Sequence, residues 1–143
     1  MKKILAILLT ILALTACSET TKNEYNFTGE SEHWEAEYAY QGTEVWGDKD
    51  GQRTYTNEDS YEFVLEFKGS LDEISSIKKL EYTYKTLHGE GKVDQVFTEP
   101  NKEVIFSTRG SSGGAKVRED EVIQVNVKWD DFEESFELHN NSK

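Results

Sequence analysis

The chain is poor in cysteine, and this limits both how it is stabilised and what chemistry it can carry. Cys17 is the only cysteine among 143 residues. A single cysteine excludes an internal disulfide, so a folded domain must be stabilised by its hydrophobic core. The three histidines, His33, His88 and His139, stand far apart without the spacing of metal ligands. A zinc site or a catalytic triad would therefore have to be assembled entirely by tertiary folding.

Basic residues are also scarce relative to acidic ones. Lys and Arg number 16 against 28 Asp and Glu, which gives a formal net charge of −12. Nucleic acid is not an expected partner, because its phosphates need Lys and Arg to displace counterions. The charge also opposes lying on an anionic membrane, so any membrane contact is expected through a lipid alone. Cations or basic partners would be attracted weakly.

The chain has only one long hydrophobic run, from Ile4 to Leu14. This run is too short for a transmembrane helix, which needs about 20 apolar residues. Lys2 and Lys3 precede the run and small residues close it. Residues 1–16 therefore have the three-part layout of a secretory signal peptide.

The end of this segment, Leu14-Thr15-Ala16-Cys17, resembles a bacterial lipobox. The resemblance implies transfer of a diacylglyceryl group to the Cys17 thiol, cleavage between Ala16 and Cys17, and acylation of the new amino terminus. A non-lipidated signal peptide is the alternative, but it would leave a free thiol in a protein with no other cysteine. We expect a lipid anchor on the extracytoplasmic face of a bacterial cell membrane, and no other cofactor.

The rest of the chain predicts a tether and one β domain. Residues 17–26 are the lipidated cysteine and a polar tether, and residues 27–143 are enough for one domain. In that domain apolar and polar residues alternate with a period of two, which is typical of strands with one buried face. The alternation covers 33–40, 61–68, 79–87, 93–97, 104–108 and 123–129, with a terminal hairpin over 127–138. Leu71, Ile74 and Ile77 recur every three residues and predict one helical turn.

The connections favour an antiparallel architecture. Segments 47–51 and 129–132 are typical of turns between neighbouring strands. Seven to nine short strands with few helices predict an all-β antiparallel sandwich of immunoglobulin-like topology. A small β-barrel is the alternative, because a pattern of residues does not determine strand order.

Asp48 and Asp50 are the best metal candidates in the chain. If Gly51 takes the glycine position of an EF-hand loop, these two residues fall at the third and fifth ligand positions. Trp46 and Asn57 then occupy the first and twelfth positions, where acidic ligands are needed. A hairpin turn of Asp and Gly is the favoured interpretation, and no metal is expected.

The glycine- and serine-rich segment 109–114 suggests a phosphate cradle or a serine nucleophile. It lacks the Lys-Ser or Lys-Thr ending of a P-loop and the register of a nucleophile elbow, which favours a solvated loop. Arg109, Lys116 and Arg118 make the loop locally basic. Arg109 is therefore a candidate contact for an anionic polymer, unless these residues pair with neighbouring carboxylates.

Carboxylates are so plentiful that some pair would fall at a glycosidase-like separation in any fold, which makes such a pair uninformative. The acidic runs 119–121 and 130–134 predict solvated turns, with loose binding of a cation as the alternative. Rings are abundant too, and at strand period they normally fill a core. Trp46, beside a predicted turn, is the ring most expected at the surface. Since sugar-binding sandwich domains stack sugars on exposed rings, Trp46 is a candidate ligand contact.

The segment Phe27-Thr28-Gly29-Glu30-Ser31-Glu32-His33-Trp34 resembles the opening of a group of small lipoproteins of Bacillus and related Firmicutes. In that group a Phe-x-Gly-Glu-Ser-x-x-Trp segment follows the lipidated cysteine, and segments 71–82, 127–129 and 136–138 are similar to its later parts. The resemblance implies a Gram-positive membrane anchor that faces the cell wall, and it implies no catalytic residue. Glu30 and Ser31 are expected to satisfy backbone groups, with a recognition surface as the alternative.

These observations favour a non-enzymatic binding or interaction module of the cell envelope. A module that binds carbohydrate or a wall polymer is the first alternative, and a small envelope hydrolase is the second. The expected partner is an envelope protein or polymer, and the oligomeric state is left open.

Overall fold

The computed structural model describes residues 18–111 and 113–142, and these form antiparallel strands and one helical turn. The strands are β1 (Glu19–Glu30), β2 (Trp34–Lys49), β3 (Gln52–Phe67), β4 (Lys79–Lys85), β5 (Glu90–Val96), β6 (Ile105–Gly110), β7 (Ile123–Trp129) and β8 (Phe132–Asn140). Helix α1 (Leu71–Ile74) connects β3 to β4. The predicted all-β class is confirmed, and the helical turn lies where the three-residue repeat predicts it.

The eight strands form one continuous sheet. Its strand order is β5-β4-β7-β8-β1-β2-β3-β6, and every neighbouring pair is antiparallel. The two halves are joined by a short pairing of β8 with β1, at Phe27↔Asn140 and Thr28↔His139. The sheet curls into a half-barrel. A two-sheet sandwich of immunoglobulin-like topology is not shown by this arrangement.

The core fills the concave side of the curled sheet. Alternate residues of β2, β3, β4 and β7 point inwards, because successive side chains of a strand lie on opposite faces. The largest fully buried side chains are Phe27, Trp34, Tyr38, Tyr40, Phe63, Leu65, Leu80, Tyr82, Ile123 and Leu138. The rings at strand period therefore belong mainly to the core, as their spacing predicts.

Two tight turns set the register of the hairpins. Asp50 and Gly51 join β2 to β3 with φ of 52° and 78°, the positive pair that a two-residue hairpin turn of type I′ requires. Asp130 and Asp131 join β7 to β8, and the Asp130 carboxylate accepts the backbone N–H groups of Lys78 and Lys79 at 2.9 and 3.1 Å. Both turns lie within the segments that the sequence predicts.

The polar segment that follows Cys17 is not a tether over most of its length. Strand β1 begins at Glu19 and pairs with β2 along its whole length, from Glu19↔Trp46 to Glu30↔Glu35. The prediction of a tether to residue 26 is therefore wrong. The error arises because residues 19–24 are mostly exposed and lack apolar alternation, although their backbone is fully paired with β2.

The Phe-x-Gly-Glu-Ser-x-x-Trp segment forms the end of β1 and the turn into β2. A Cβ atom added at Gly29 would lie 2.0 Å from the Glu137 carbonyl oxygen of β8, so only glycine fits. The Ser31 backbone N–H donates to the Trp34 carbonyl at 2.7 Å, and the Ser31 hydroxyl donates to Glu134 at 2.5 Å. These contacts hold the β1–β2 turn against β8, and the role of Glu30 and Ser31 in satisfying backbone groups stays a prediction.

Candidate functional site

The candidate site lies on an arm made by the outer parts of three strands, residues 19–24, 41–49 and 52–60. In the described part of the chain, β8 pairs with β1 only at Phe27 and Thr28, and β6 pairs with β3 only from Tyr61 onwards. The three strands of the arm therefore extend past their neighbours. We call its outer end, residues 18–20 and 45–56, the tip.

An exposed pair of rings occupies the inner face of the tip. Trp46 and Tyr55 are partners in the β2–β3 register, their ring centroids are 4.5 Å apart, and they are 36% and 43% exposed. The Arg53 guanidinium carbon lies 4.9 Å from the Trp46 ring centroid, within the range of a cation–π contact. Trp46 is exposed beside the hairpin turn, as predicted. Its role as a ligand contact stays a prediction.

Next to the ring pair, on the side away from the hairpin turn, the Glu44 carboxylate connects the strands of the arm. It accepts hydrogen bonds from Asn23 Nδ2 at 2.8 Å, from the Tyr55 hydroxyl at 2.9 Å and from Lys116 Nζ at 3.2 Å. The hydrogen bond from Asn23, followed by that from Tyr55, lowers the pKa of Glu44 despite the opposing effect of burial. With its side chain only 13% exposed, Glu44 ties three segments together as a carboxylate.

The loop after β6 packs against the same face of the arm. Asn57 Nδ2 donates to the Gly114 carbonyl at 2.9 Å, and the Ser111 hydroxyl donates to Asp59 at 2.7 Å. Val117 is buried in the core. Gly113 and Gly114 have φ of 71° and 87°, so glycine is needed for this path. The loop is exposed at Ser111 and Gly113, but further along it is attached to the arm.

Glu121 contradicts the expectation of a solvated turn over 119–121. It is 4% exposed, and its carboxylate accepts the backbone N–H groups of Leu87 at 2.5 Å and Arg118 at 3.1 Å. A buried carboxylate needs such donors. Glu121 therefore joins the loop after β4 to the loop before β7, while Glu119 and Asp120 are exposed as predicted.

A cavity of about 160 Å³ opens at the base of the arm, lined by Tyr38, Tyr61, Tyr84, Thr86, Gly89, Glu90, Gly91 and Ser111. The hydroxyls of Tyr61 and Tyr84 are 3.0 Å apart and share a hydrogen bond. Gly91 makes room for the Tyr84 ring, since an added Cβ would lie 2.0 Å from it. Burial raises the pKa of Tyr38 and of Tyr84, so both phenols stay protonated.

The convex face of the sheet carries a row of glutamates. Glu30, Glu35 and Glu66 are direct neighbours across β1, β2 and β3, and they border a depression of about 440 Å³. Burial, with a hydrogen bond and like charge from Glu66, raises the pKa of Glu35. Lys68 offsets part of this charge through an ion pair with Glu30 at 3.2 Å. The row is open to solvent, and its described lining residues include no histidine, serine or cysteine.

His33 belongs to a carboxylate cluster that the sequence does not predict. Its Nδ1 lies 2.5 Å from Glu134 Oε2, and its backbone N–H donates to Glu134 Oε1 at 2.9 Å. Burial opposes ionisation of Glu134, but hydrogen bonds from Ser31 and His33 lower its pKa. Within residues 18–111 and 113–142, only Glu32, His33 and Glu134 bring three possible metal ligands within 4.8 Å of one another. Both Glu134 oxygens already accept hydrogen bonds from Ser31 and His33, so these three residues connect β8 to the turn between β1 and β2.

The residues that the sequence offers as metal ligands or as contacts for an anion do not form a common site in the described structure. Asp48 pairs in register with Arg53, Asp50 is a turn residue, and neither belongs to that cluster. Arg109 forms an ion pair with Glu62, with Nε 2.5 Å from Oε2. Lys116 and Arg118 likewise contact Glu44 and Asp120. The three cations of this loop therefore pair with neighbouring carboxylates.

The predicted lipidation site, Cys17, and the predicted cleavage position after Ala16 lie outside the described residues. Among residues 18–111 and 113–142 there is no helix long and apolar enough to cross a membrane.

Comparison of this chain with protein-family models, with curated proteins and with solved structures finds no match. The resemblance to small Bacillus lipoproteins therefore stays a prediction from the sequence.

Proposed function

We propose that this chain is a lipid-anchored lipoprotein on the extracytoplasmic face of a bacterial cell membrane, where its β domain acts as a non-enzymatic binding module. The observation that carries the proposal is the start of the folded domain at Glu19, two residues after the cysteine of a lipobox-like segment. A strand that begins two residues after Cys17 supports the proposal that this cysteine is the junction between a cleavable leader and the domain. The acidic charge of the domain agrees with an anchor that is a lipid rather than a basic surface.

The ligand contact that we propose is the tyrosine-lined cavity at the base of the arm. Ligand pockets are usually concave and lined by rings, with a few polar groups that converge on one point. Here the phenols of Tyr61 and Tyr84 and the residues Glu90 and Ser111 border one opening. A cavity of about 160 Å³ has the volume of about five liquid waters, which suits a small substituent rather than a polymer chain.

A wall-polymer- or carbohydrate-binding module is the second candidate. The exposed pair of Trp46 and Tyr55 favours it, because exposed rings provide flat apolar surfaces with polar edges. For a small hydrolase, Glu35 and Glu66 would be the candidate carboxylate pair. That pair faces open solvent on the convex side, where water is not excluded from a reaction, so the binding role is preferred.

The anchor is tested by Cys17→Ala, with Ser18→Ala as the matched control. We expect the wild type and Ser18→Ala to incorporate a labelled fatty acid and to fractionate with membranes, and Cys17→Ala to do neither. A Cys17→Ala protein that stays as membrane-bound as the wild type would show that lipidation at this position is not the anchor.

The binding role is tested by NMR titration of the folded domain with soluble peptidoglycan and wall-polymer fragments. We expect shifts at Tyr61, Tyr84 and Glu90 with at least one fragment. Glu90→Gln should weaken these shifts, whereas Glu58→Gln, an exposed change on the arm, should not. Shifts confined to Trp46 and Tyr55 would assign binding of the fragment to the ring pair instead of the cavity, and turnover of a fragment would support the hydrolase.

A further inference from the structure

We infer that the tip of the arm lies in the headgroup region of the membrane that holds the anchor, with Trp46 and Tyr55 as interfacial contacts. This inference rests on the proposed lipid anchor at Cys17. It adds a second, non-covalent membrane contact, whereas the composition of the chain as a whole predicts contact through the lipid alone.

The first argument is the short reach of the chain between the anchor and the tip. Consecutive Cα atoms are about 3.8 Å apart, so the Cα atoms of Cys17 and Glu19 are separated by at most about 7.6 Å. Glu19 is the register partner of Trp46, and antiparallel partners have Cα atoms about 4.5–5.5 Å apart. Trp46 is therefore within about 13 Å of the lipidated residue, whatever path Ser18 takes.

That upper limit is about twice the thickness of the layer that the tip would occupy. The headgroup region adds about 5–8 Å to each side of the hydrocarbon core. The acyl chains enter the hydrocarbon core directly from Cys17, and no flexible linker lies between Cys17 and the tip that would let the tip move away from the headgroups. Because β1 is paired with β2 from Glu19 onwards, the ring pair is held close to the headgroups as well.

The second argument is the chemistry of the exposed side chains. Trp and Tyr are enriched at membrane–water interfaces, where the ring meets apolar material and the polar edge meets water. Trp46 and Tyr55 are among the exposed large apolar side chains of the described chain, and they lie side by side at this end. Arg53 lies over the Trp46 ring and adds a cation that can contact headgroup phosphates.

The third argument is the distribution of charge. The tip carries three carboxylates, Glu19, Asp48 and Asp50, against Lys49 and Arg53, a net charge of −1. Removal of residues 1–16 takes away Lys2 and Lys3 and no acidic residue, so the remaining chain carries −14, of which −13 lies outside the tip. An anionic bilayer therefore repels the body of the domain far more than the tip and favours an orientation with the tip towards the lipid.

The experiment uses the full lipidated chain, purified from membranes and reconstituted into phosphatidylcholine vesicles with and without brominated acyl chains. Bromine quenches tryptophans that reach the bilayer, and Trp46 is one of three tryptophans. We expect flotation with the vesicles and loss of up to about a third of the emission in the wild type, the share of one tryptophan in three. Trp46→Phe should remove this loss.

Two control proteins test whether quenching depends on the position of the tryptophan near the anchor or occurs at any exposed ring. Phe132 is 63% exposed at the β7–β8 turn, and neighbouring rings connect that turn to Trp34, at the other end of β2 from Trp46. A tryptophan placed there by Phe132→Trp in the Trp46→Phe background should not be quenched. About ten Gly and Ser residues inserted between Cys17 and Ser18 should reduce quenching of the wild type, since a flexible linker frees the tip.

The results for flotation and for quenching distinguish the lipid anchor from the membrane contact of the tip. Flotation without Trp46-dependent quenching overturns the membrane contact and leaves the anchor intact. Absence of flotation overturns the anchor and the membrane contact together. A Trp46 signal that responds to wall fragments but not to brominated lipid assigns the ring pair to a glycan instead.

Discussion

Replacing Glu44 should loosen the arm while leaving the rest of the β domain folded. The Glu44 carboxylate accepts hydrogen bonds from two neutral donors, Asn23 and Tyr55, and from one charged donor, Lys116. A hydrogen bond to a charged group contributes about 1.5–3 kcal/mol, and an exposed ion pair less than about 1 kcal/mol. Because Tyr55 and Lys116 are solvent-accessible and regain water, we expect the low end of this range. The free energy of unfolding should fall by about 2 kcal/mol in Glu44→Ala and about 1 kcal/mol in Glu44→Gln.

The assay is urea unfolding followed by tryptophan fluorescence, with hydrogen exchange of residues 41–60 as the local readout. Glu58→Gln is the control, because it removes the same charge from an exposed position on the arm, next to Thr43 in the register. The pKa of Glu44 is lowered, so its stabilising contribution is present above the unfolded value near 4.5 and is lost as the pH falls through the folded value. The difference between the wild type and Glu44→Gln should therefore close in acid. If Glu44→Gln matches Glu58→Gln at neutral pH, or if the difference persists at low pH, the proposed role of Glu44 is wrong.

Three further changes test other parts of the molecule. Gly29→Ala should reduce the free energy of unfolding by about 1–3 kcal/mol, because its Cβ would overlap the Glu137 carbonyl, whereas Gly89→Ala meets no atom nearer than 3.9 Å and should be near neutral in thermal melts. Glu134→Gln should cost about 1–2 kcal/mol at neutral pH and progressively less in acid, since the pKa of Glu134 is lowered; exposed Glu133→Gln serves for comparison. Glu35→Gln should stabilise the fold by at most about 0.5 kcal/mol at neutral pH, because the raised pKa of Glu35 means that folding favours its protonated form and that stability falls as the pH rises. That gain should disappear in acid titrations of the unfolding free energy, and an equal gain at every pH would contradict it.

The sequence predicts the strands that bury one face and misses those that do not. Strand β7 occupies Ile123–Trp129, the segment where apolar residues alternate most regularly. By contrast, β2 continues past Tyr40, and its next inward positions are Gly42 and Glu44. These residues are not large apolar ones, so the alternating pattern that predicts a strand stops at Tyr40. The arm is specified instead by the tight turn at Asp50 and Gly51 and by backbone pairing between the strands.

The candidate sites were predictable only where the signal is local. The exposure of Trp46 follows from its place beside a turn. The pairing of His33 with Glu134 joins residues 101 positions apart, and the contact of Lys116 with Glu44 spans 72. No spacing rule covers such pairs, because the strand order that creates them depends on how the sheet curls. The tyrosine cavity is missed for the same reason, since its rings come from three different strands.

The paired backbone of the arm has a consequence for how the protein meets its partners. Gln52 near the tip turn and Tyr61 beside the cavity are nine positions apart along β3, about 30 Å at about 3.3 Å per residue. A ten-residue coil would instead give a fluctuating end-to-end distance of about 18 Å and let the cavity approach the lipid repeatedly. In the proposed orientation, the paired strands of the arm hold the cavity at a nearly constant distance from the membrane. Ligands that are fixed at this distance are then present at a high effective concentration around the cavity, whereas ligands on the bilayer surface are out of its reach.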